Sequence, residues 1–207
     1  MSVNIAPTKS NLMKAENALA FSKKGFELLD KKRNVLIREM MGMMNRAKTL
    51  QERVTVTFRE AYEALQVVNV TMGINSVEEI ALSIPKASEY EVLLKSVMGV
   101  EIPTVHYNKT DLQTQYGFFR TNPALDIAYA KFKEVKYLIY ELAEVENSVY
   151  KLAMEIKKTQ KRANGLENIQ IPKYKEQVKY IQEVLEEKER EDFFRLKRIK
   201  KKGQREE

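Results

Sequence analysis

The sequence predicts a mainly α protein whose N- and C-terminal helices fold back on each other as a long antiparallel two-helix coiled coil. A small middle insert contains a short helix and a β-hairpin. Three observations carry this. Both ends place apolar residues at alternating spacings of three and four, the signature of a seam that needs a partner helix. Proline is absent between Pro7 and Pro85 and again between Pro123 and Pro172, so neither run meets the strongest helix breaker. Between the two runs, Gly73, Pro85, Gly99, Pro103 and Gly117 divide the chain into short segments. The boundaries read as 1–70, 71–122 and 123–207.

The first helix opens after Pro7, with Thr8 as its cap, and runs to about Val70. Its seam is Leu12, Ala15, Leu19, Ser22, Phe26, Leu29, Arg33, Leu36, Met40, Met43, Ala47, Leu50, Val54, Thr57, Ala61, Ala64 and Val68, in which only Ser22, Arg33 and Thr57 are polar. Leu19, Phe26, Leu29, Leu36, Met40, Met43 and Leu50 are the expected core on this side. A helix of some 60 residues spans roughly 90 Å, which points to a rod. Gly25 and Gly42 lie inside the helix, each costing about 1 kcal/mol relative to alanine. Either the helix bends slightly there, or the missing side chain permits a close approach. Met40, Met41, Met43 and Met44 cluster beside Gly42, and the seam assigns Met40 and Met43 to core filling.

In the middle insert, Ser76 followed by Glu79 fits a capping box for a short helix ending before Pro85. Tyr90 to Val97 and Val100 to Tyr107 are rich in β-branched, aromatic and aliphatic residues around Met98-Gly99, which reads as a β-hairpin. A lone hairpin is marginal in water, so this one must lean on the helices or on another protein. His106, the single histidine, falls in the second strand and reads as structural.

The C-terminal helix begins with Asn122 as cap and Pro123 at its first position. Its seam is Ala128, Phe132, Val135, Ile139, Leu142, Val145, Val149, Leu152, Ile156, Thr159, Ala163 and Leu166. Of these, Phe132, Val135, Ile139, Leu142, Val149, Leu152 and Ile156 are the expected core. Tyr129, Phe132, Tyr137 and Tyr140 spread around the first turns, so some face away from the seam, either toward a second partner or as the ordinary rim of a coiled coil. Asn164-Gly165 and Ile171-Pro172 interrupt the pattern before Val178, Ile181 and Leu185 resume it, which predicts a break or kink near Pro172.

Composition narrows the function. The 207 residues contain no cysteine and one histidine, which removes disulfides, thiolate catalysis and the common zinc sites. No phosphate-binding loop or serine–histidine pair occurs, and the carboxylates are strung along helices rather than gathered in a pocket. Glu186, Glu187, Glu189, Glu191 and Asp192 alternate with Lys188, Arg190 and Arg195, the pattern of ion pairing on a helix surface. Neither a catalytic nor a cofactor site is expected. No apolar run approaches the roughly 20 residues that span a bilayer. Asn4, Thr8, Lys9 and Asn11 interrupt any signal-like N-terminal core, so a cytosolic or cytosol-facing protein is expected. The net charge is +7, of which Arg195 to Glu207 supplies +5. That basic block suits a nucleic acid, an anionic lipid, an acidic protein surface, or only a solvated helix end.

Two terminal segments are more specific. One is Pro7-Thr8-Lys9-Ser10-Asn11-Leu12, continued by Leu19-Ala20, Gly25, Leu28-Leu29 and Lys31-Lys32-Arg33. The other runs from Lys158-Thr159-Gln160-Lys161-Arg162-Ala163-Asn164-Gly165-Leu166 through Ile171-Pro172 to Leu185-Glu186-Glu187-Lys188-Glu189-Arg190-Glu191-Asp192-Phe193-Phe194-Arg195-Leu196-Lys197. Together they resemble the D subunit of the V-type and archaeal-type rotary ATPases, the central stalk of the motor. Gly165 stands where that family commonly has alanine.

The resemblance implies a non-catalytic rotor axle that couples ATP hydrolysis or synthesis to proton or sodium transport. It would pair with the small F subunit and insert both termini into the hexamer of A and B subunits. Its other end would rest on the funnel-shaped subunit above the membrane ring. It would thus sit in the peripheral sector at the cytoplasmic face of the membrane, with no insertion into the bilayer and no nucleic acid bound. The surface that meets the hexamer would include Lys9, Lys14, Lys23 and Lys24 on one helix and Arg190, Arg195, Lys197, Arg198 and Lys200 on the other. The rival readings are a free-standing coiled-coil scaffold and a nucleic-acid binder using the basic end.

Overall fold

In the computed structural model the described residues are 6–84, 90–109, 116–118 and 121–203. Helix α1 (Lys9–Met72) is followed by α2 (Ile74–Ser83), strands β1 (Tyr90–Val97) and β2 (Val100–Tyr107), and α3 (Pro123–Gly165). A π-helical turn (Leu166–Gln170) then leads into α4 (Ile171–Gly203). Expectations that fall on Asn4, on Pro85 as a helix stop and on the last residues of the basic block lie outside the described residues.

Local chemistry sets the ends. Thr8 caps α1: its Oγ1 accepts the Asn11 N–H at 3.3 Å and its carbonyl accepts the Leu12 N–H at 2.9 Å. At the start of α3, Asn122 Oδ1 accepts the Ala124 N–H at 3.4 Å, with Pro123 in the first helical position. The capping box expected at Ser76 and Glu79 does not form. The cap position is Gly73, at φ 84°, with no side-chain cap bond, and Ser76 lies inside α2. A glycine can hold that left-handed angle while the chain turns directly out of α1, so the helix is capped at Gly73 rather than at Ser76 and starts at Ile74 rather than at Val77.

The chain forms two compact units. Val35–Ile156 is one; Met1–Asn34 with Lys157–Glu207 is the other. In the first, α1 and α3 run antiparallel. Leu36 packs with Leu152, Leu50 with Leu138 and Val145, and Val68 with Leu125 and Ala128. In the second, the order is again antiparallel: Arg33 Nη1 donates to Gln160 Oε1 at 2.9 Å, Gln182 to Glu16 at 3.3 Å, and Lys9 pairs with Glu189 at 3.2 Å.

Every position of the α1 seam is buried or half-buried, including Leu19, Phe26, Leu29, Met40 and Met43. Along α3, Val135 and Leu152 are buried, while Phe132, Leu142, Val149 and Ile156 are half-buried. Ile139 departs from its assignment: it is 40% exposed, and Leu138 is buried in its place. Spacing does not choose between them, because either puts two steps of three in succession, at Ile139, Leu142 and Val145 with Ile139 and at Phe132, Val135 and Leu138 with Leu138. Packing against Leu50 and Val145 selects Leu138. The polar seam positions are accommodated individually. Ser22 and Thr159 are buried, Arg33 reaches Gln160, and the Thr57 hydroxyl donates to the Arg53 carbonyl at 2.9 Å.

Near Pro172 the helix changes type rather than ending. The Ile171 N–H donates to the Leu166 carbonyl five residues back, the bond that defines the π turn. Pro172 has no N–H to give and its ring would crowd the carbonyl four residues earlier, so a widened turn just before it keeps the helix continuous.

Candidate interaction surfaces

The hairpin is fixed by an edge as well as by a face. Its two-residue turn is Met98 at φ 50° and Gly99 at φ 79°, the left-handed pair of a type I′ turn. Val100 and Ile102 are buried against Leu36 and Leu152, and Val97 packs beside them. Along β2, the Val105 N–H donates to Glu144 Oε2 at 2.7 Å. The Tyr107 hydroxyl donates to Glu141 Oε1 at 3.2 Å, and Ser148 Oγ approaches the Pro103 carbonyl at 3.5 Å. Burial, then the charge of Glu141 and the hydrogen bond to it, raise the Tyr107 pKa. His106 is exposed, opposite Glu91 in the hairpin register.

Tyr129, Phe132, Tyr137 and Tyr140 are engaged within the chain. Tyr137 stacks on Tyr107 at 5.2 Å, and Tyr140 lies 5.5 Å from both Tyr107 and Tyr90. Tyr129 meets Tyr116 edge-on at 5.8 Å, and Phe132 meets Tyr62 at 5.6 Å. The expectation that some face away from the seam thus has a structural outcome: they receive the insert.

At the α1–α2 corner, Val77 and Ile80 join the cluster around Val68, Leu125 and Ala128. Tyr116, also buried there, donates its hydroxyl to Asp126. Burial first, and the bond to Asp126 second, push the Tyr116 pKa well above the usual phenol range. Around this corner Val70, Ile74, Leu82 and Phe118 are largely exposed.

The basic residues expected to meet a partner divide into two groups. Lys9 is held by Glu189. Arg190 donates to Glu187 from Nε and Nη2 at 3.0 and 2.8 Å, and Arg195 lies 3.5 Å from Glu191 and 3.6 Å from Asp192. Such exposed pairs contribute little stability but orient the side chains along the helix. Lys14, Lys23, Lys24, Lys197, Arg198 and Lys200 are exposed. Interleaved with the last three are Phe193, Phe194, Leu196 and Ile199, each more than 60% exposed. Charge counting passes over these apolar side chains. The signal for them was available, because large apolar residues continue along α4 past Glu189, where α1 supplies its last ion-pair partner.

Gly25 is not a forced close approach, since a Cβ there would meet Leu166 Cδ1 at an ordinary 3.6 Å; Gly42 faces open space. Among the described residues no group of three His, Asp or Glu could hold a metal ion, and no helix is long and apolar enough to cross a membrane.

Fold and surfaces together define a mainly α coiled-coil protein whose distinguishing features are exposed helix and hairpin faces rather than a cleft. A family model for the D subunit of ATP synthase matches residues 11–201. The V-type ATP synthase D subunit of Thermotoga neapolitana is 46% identical over 200 residues, covering 97% of this chain and 98% of that protein. The A-type ATP synthase D subunits of Thermococcus sibiricus and Pyrococcus furiosus are 36% and 37% identical over 201 residues, each covering 96% of this chain and 94% of the relative. The chain belongs to the ATP synthase D-subunit family.

Proposed function

We propose that this chain is the central rotor axle of a V/A-type rotary ATPase, a non-catalytic subunit carrying torque between the A/B catalytic hexamer and the membrane ion-translocating ring. The observation that carries the reading is the nearly full-length family match on a chain whose α1 pairs antiparallel with α3 and with α4. Two helices held together layer by layer resist bending and twisting better than one. Each buried Leu, Ile or Met contributes on the order of 1.5–3 kcal/mol to keeping those layers closed.

The seam is structural in this reading, and the exposed surface communicates. Lys14, Lys23 and Lys24 on α1, with Lys197, Arg198 and Lys200 on α4, suit acidic loops of the hexamer. Phe193, Phe194, Leu196 and Ile199 supply apolar contact between those charges. An axle that presents different sides to three catalytic interfaces favours a different nucleotide state in each, which is coupling by differential binding. The small F subunit is the lateral partner, and the funnel-shaped subunit receives the exposed apolar residues at the α1–α2 corner. The complex places this chain in the peripheral sector on the cytoplasmic face of the membrane.

Reconstitution tests the reading. A hexamer of A and B subunits with the ring but without this chain should neither rotate nor move ions, and adding the chain with the F subunit should restore both. Full coupled transport in its absence refutes the axle. Truncation after Glu189 should weaken coupling while the complex with the F subunit survives.

A further inference from the structure

We propose that the outer edge of β1 is a self-complementary strand-pairing surface, and that the chain free of partners dimerises by antiparallel β1–β1 addition to give a four-stranded sheet. The two edges of the hairpin are not alike. With a two-residue turn, Val97 and Val100 exchange the hydrogen bonds nearest the loop, and alternation turns the main-chain groups of Val92 and Leu94 outward on one side and those of Pro103 and Val105 outward on the other. The β2 edge is closed. Pro103 has no N–H, its carbonyl faces Ser148, and the Val105 N–H is bound by Glu144. Among the described residues no such closure meets β1, and all its side chains are exposed except that of Val97, which is half-buried. Natural proteins blunt long apolar edges because they template pairing with another chain, and β1 carries Val92, Leu93 and Leu94 in a row.

The sequence of β1 selects the occupant. An antiparallel pair centred on Leu93 brings Leu93 opposite its own copy and Val92 opposite Leu94. In the same register Glu91 stands opposite Lys95, twice, once on each side of the dyad. It also matches the outward-facing main-chain groups of Val92 and Leu94 with each other, as an antiparallel ladder requires. Apolar contacts at the centre and opposite charges at both ends are the cross-strand pairs that stabilise a sheet. A two-fold axis makes the same patch serve both copies, so a second copy of this chain fits without any other element. The inference does not depend on the rotary reading. In an assembly holding one copy, whatever covers β1 competes with this pairing.

Sedimentation of the full chain without partner subunits tests the idea. The wild type should show a concentration-dependent monomer–dimer equilibrium. Leu94→Pro removes an outward N–H without touching the hydrogen bonds inside the hairpin, and should be monomeric with unchanged helix content. Glu91→Lys should weaken dimerisation roughly tenfold by placing like charges opposite each other. Glu91→Lys with Lys95→Glu should restore it, which distinguishes pairing in this register from damage to the hairpin. A wild type that stays monomeric at every concentration overturns the proposal, as does a dimer indifferent to the charge reversal or not rescued by the swap. Amide protection of β1 that appears only when another subunit is added to a monomeric chain assigns the edge to that subunit and likewise overturns self-pairing.

Discussion

The main-chain N–H of Val105 on β2 donates to the carboxylate of Glu144 on α3 at 2.7 Å, so a helix side chain terminates a sheet ladder. This contact converts a two-stranded hairpin, marginal by itself, into a fixed part of its unit. Glu144→Ala should leave the Val105 N–H without that acceptor, at a cost of about 1–3 kcal/mol. Hydrogen exchange at the Val105 amide should accelerate, while the amides of α1 near Leu36 keep their protection.

Leu36 and Leu152 are fully buried and meet in the cluster beneath the hairpin. Leu152→Ala should destabilise the chain by about 2–5 kcal/mol through lost burial and a residual cavity. Ile139→Ala, at the exposed neighbouring register, should cost much less. Denaturant midpoints of the two variants check the seam assignment directly.

The two glycine environments predict opposite signs. Gly42 is helical and a Cβ there meets nothing within 4 Å, so Gly42→Ala should stabilise by up to about 1 kcal/mol. Gly99 sits in the hairpin turn at φ +79°, so Gly99→Ala should destabilise by about 1 kcal/mol. Thermal unfolding of both variants reads the difference.

Tyr116 gives an alkaline limit. Its pKa is raised in the folded chain from the ordinary 10.0, chiefly by burial and then by Asp126. The folded state therefore keeps the phenol proton where the unfolded chain has lost it. This stability is fully present below pH 10 and falls as pH rises above it. Tyr116→Phe should be less stable than wild type at neutral pH, and the difference should shrink steadily as pH rises above 10, measured as a melting temperature against pH.

By itself the sequence determined the elements whose information is local. The three–four spacing marks the buried stripe of α1 at every seam position from Leu12 to Val68, because a helix repeats its faces every 3.6 residues whatever it packs against. Met98-Gly99 set the hairpin turn and Thr8 and Asn122 set helix starts, because those signals act within a few residues of chain. What tertiary structure decided were the choices among residues that local rules treat alike. It placed Leu138 rather than Ile139 in the core, used Tyr137 and Tyr140 to hold the hairpin, and left Phe193, Phe194, Leu196 and Ile199 uncovered. It closed the β2 edge with Glu144, and among the described residues nothing closes that of β1. It also turned the interruption before Pro172 into a π turn within a continuing helix. Each of these outcomes depends on which partner surface arrives opposite a residue, and partners 166 positions away, as Glu16 is from Gln182, leave no mark on the spacing of neighbours.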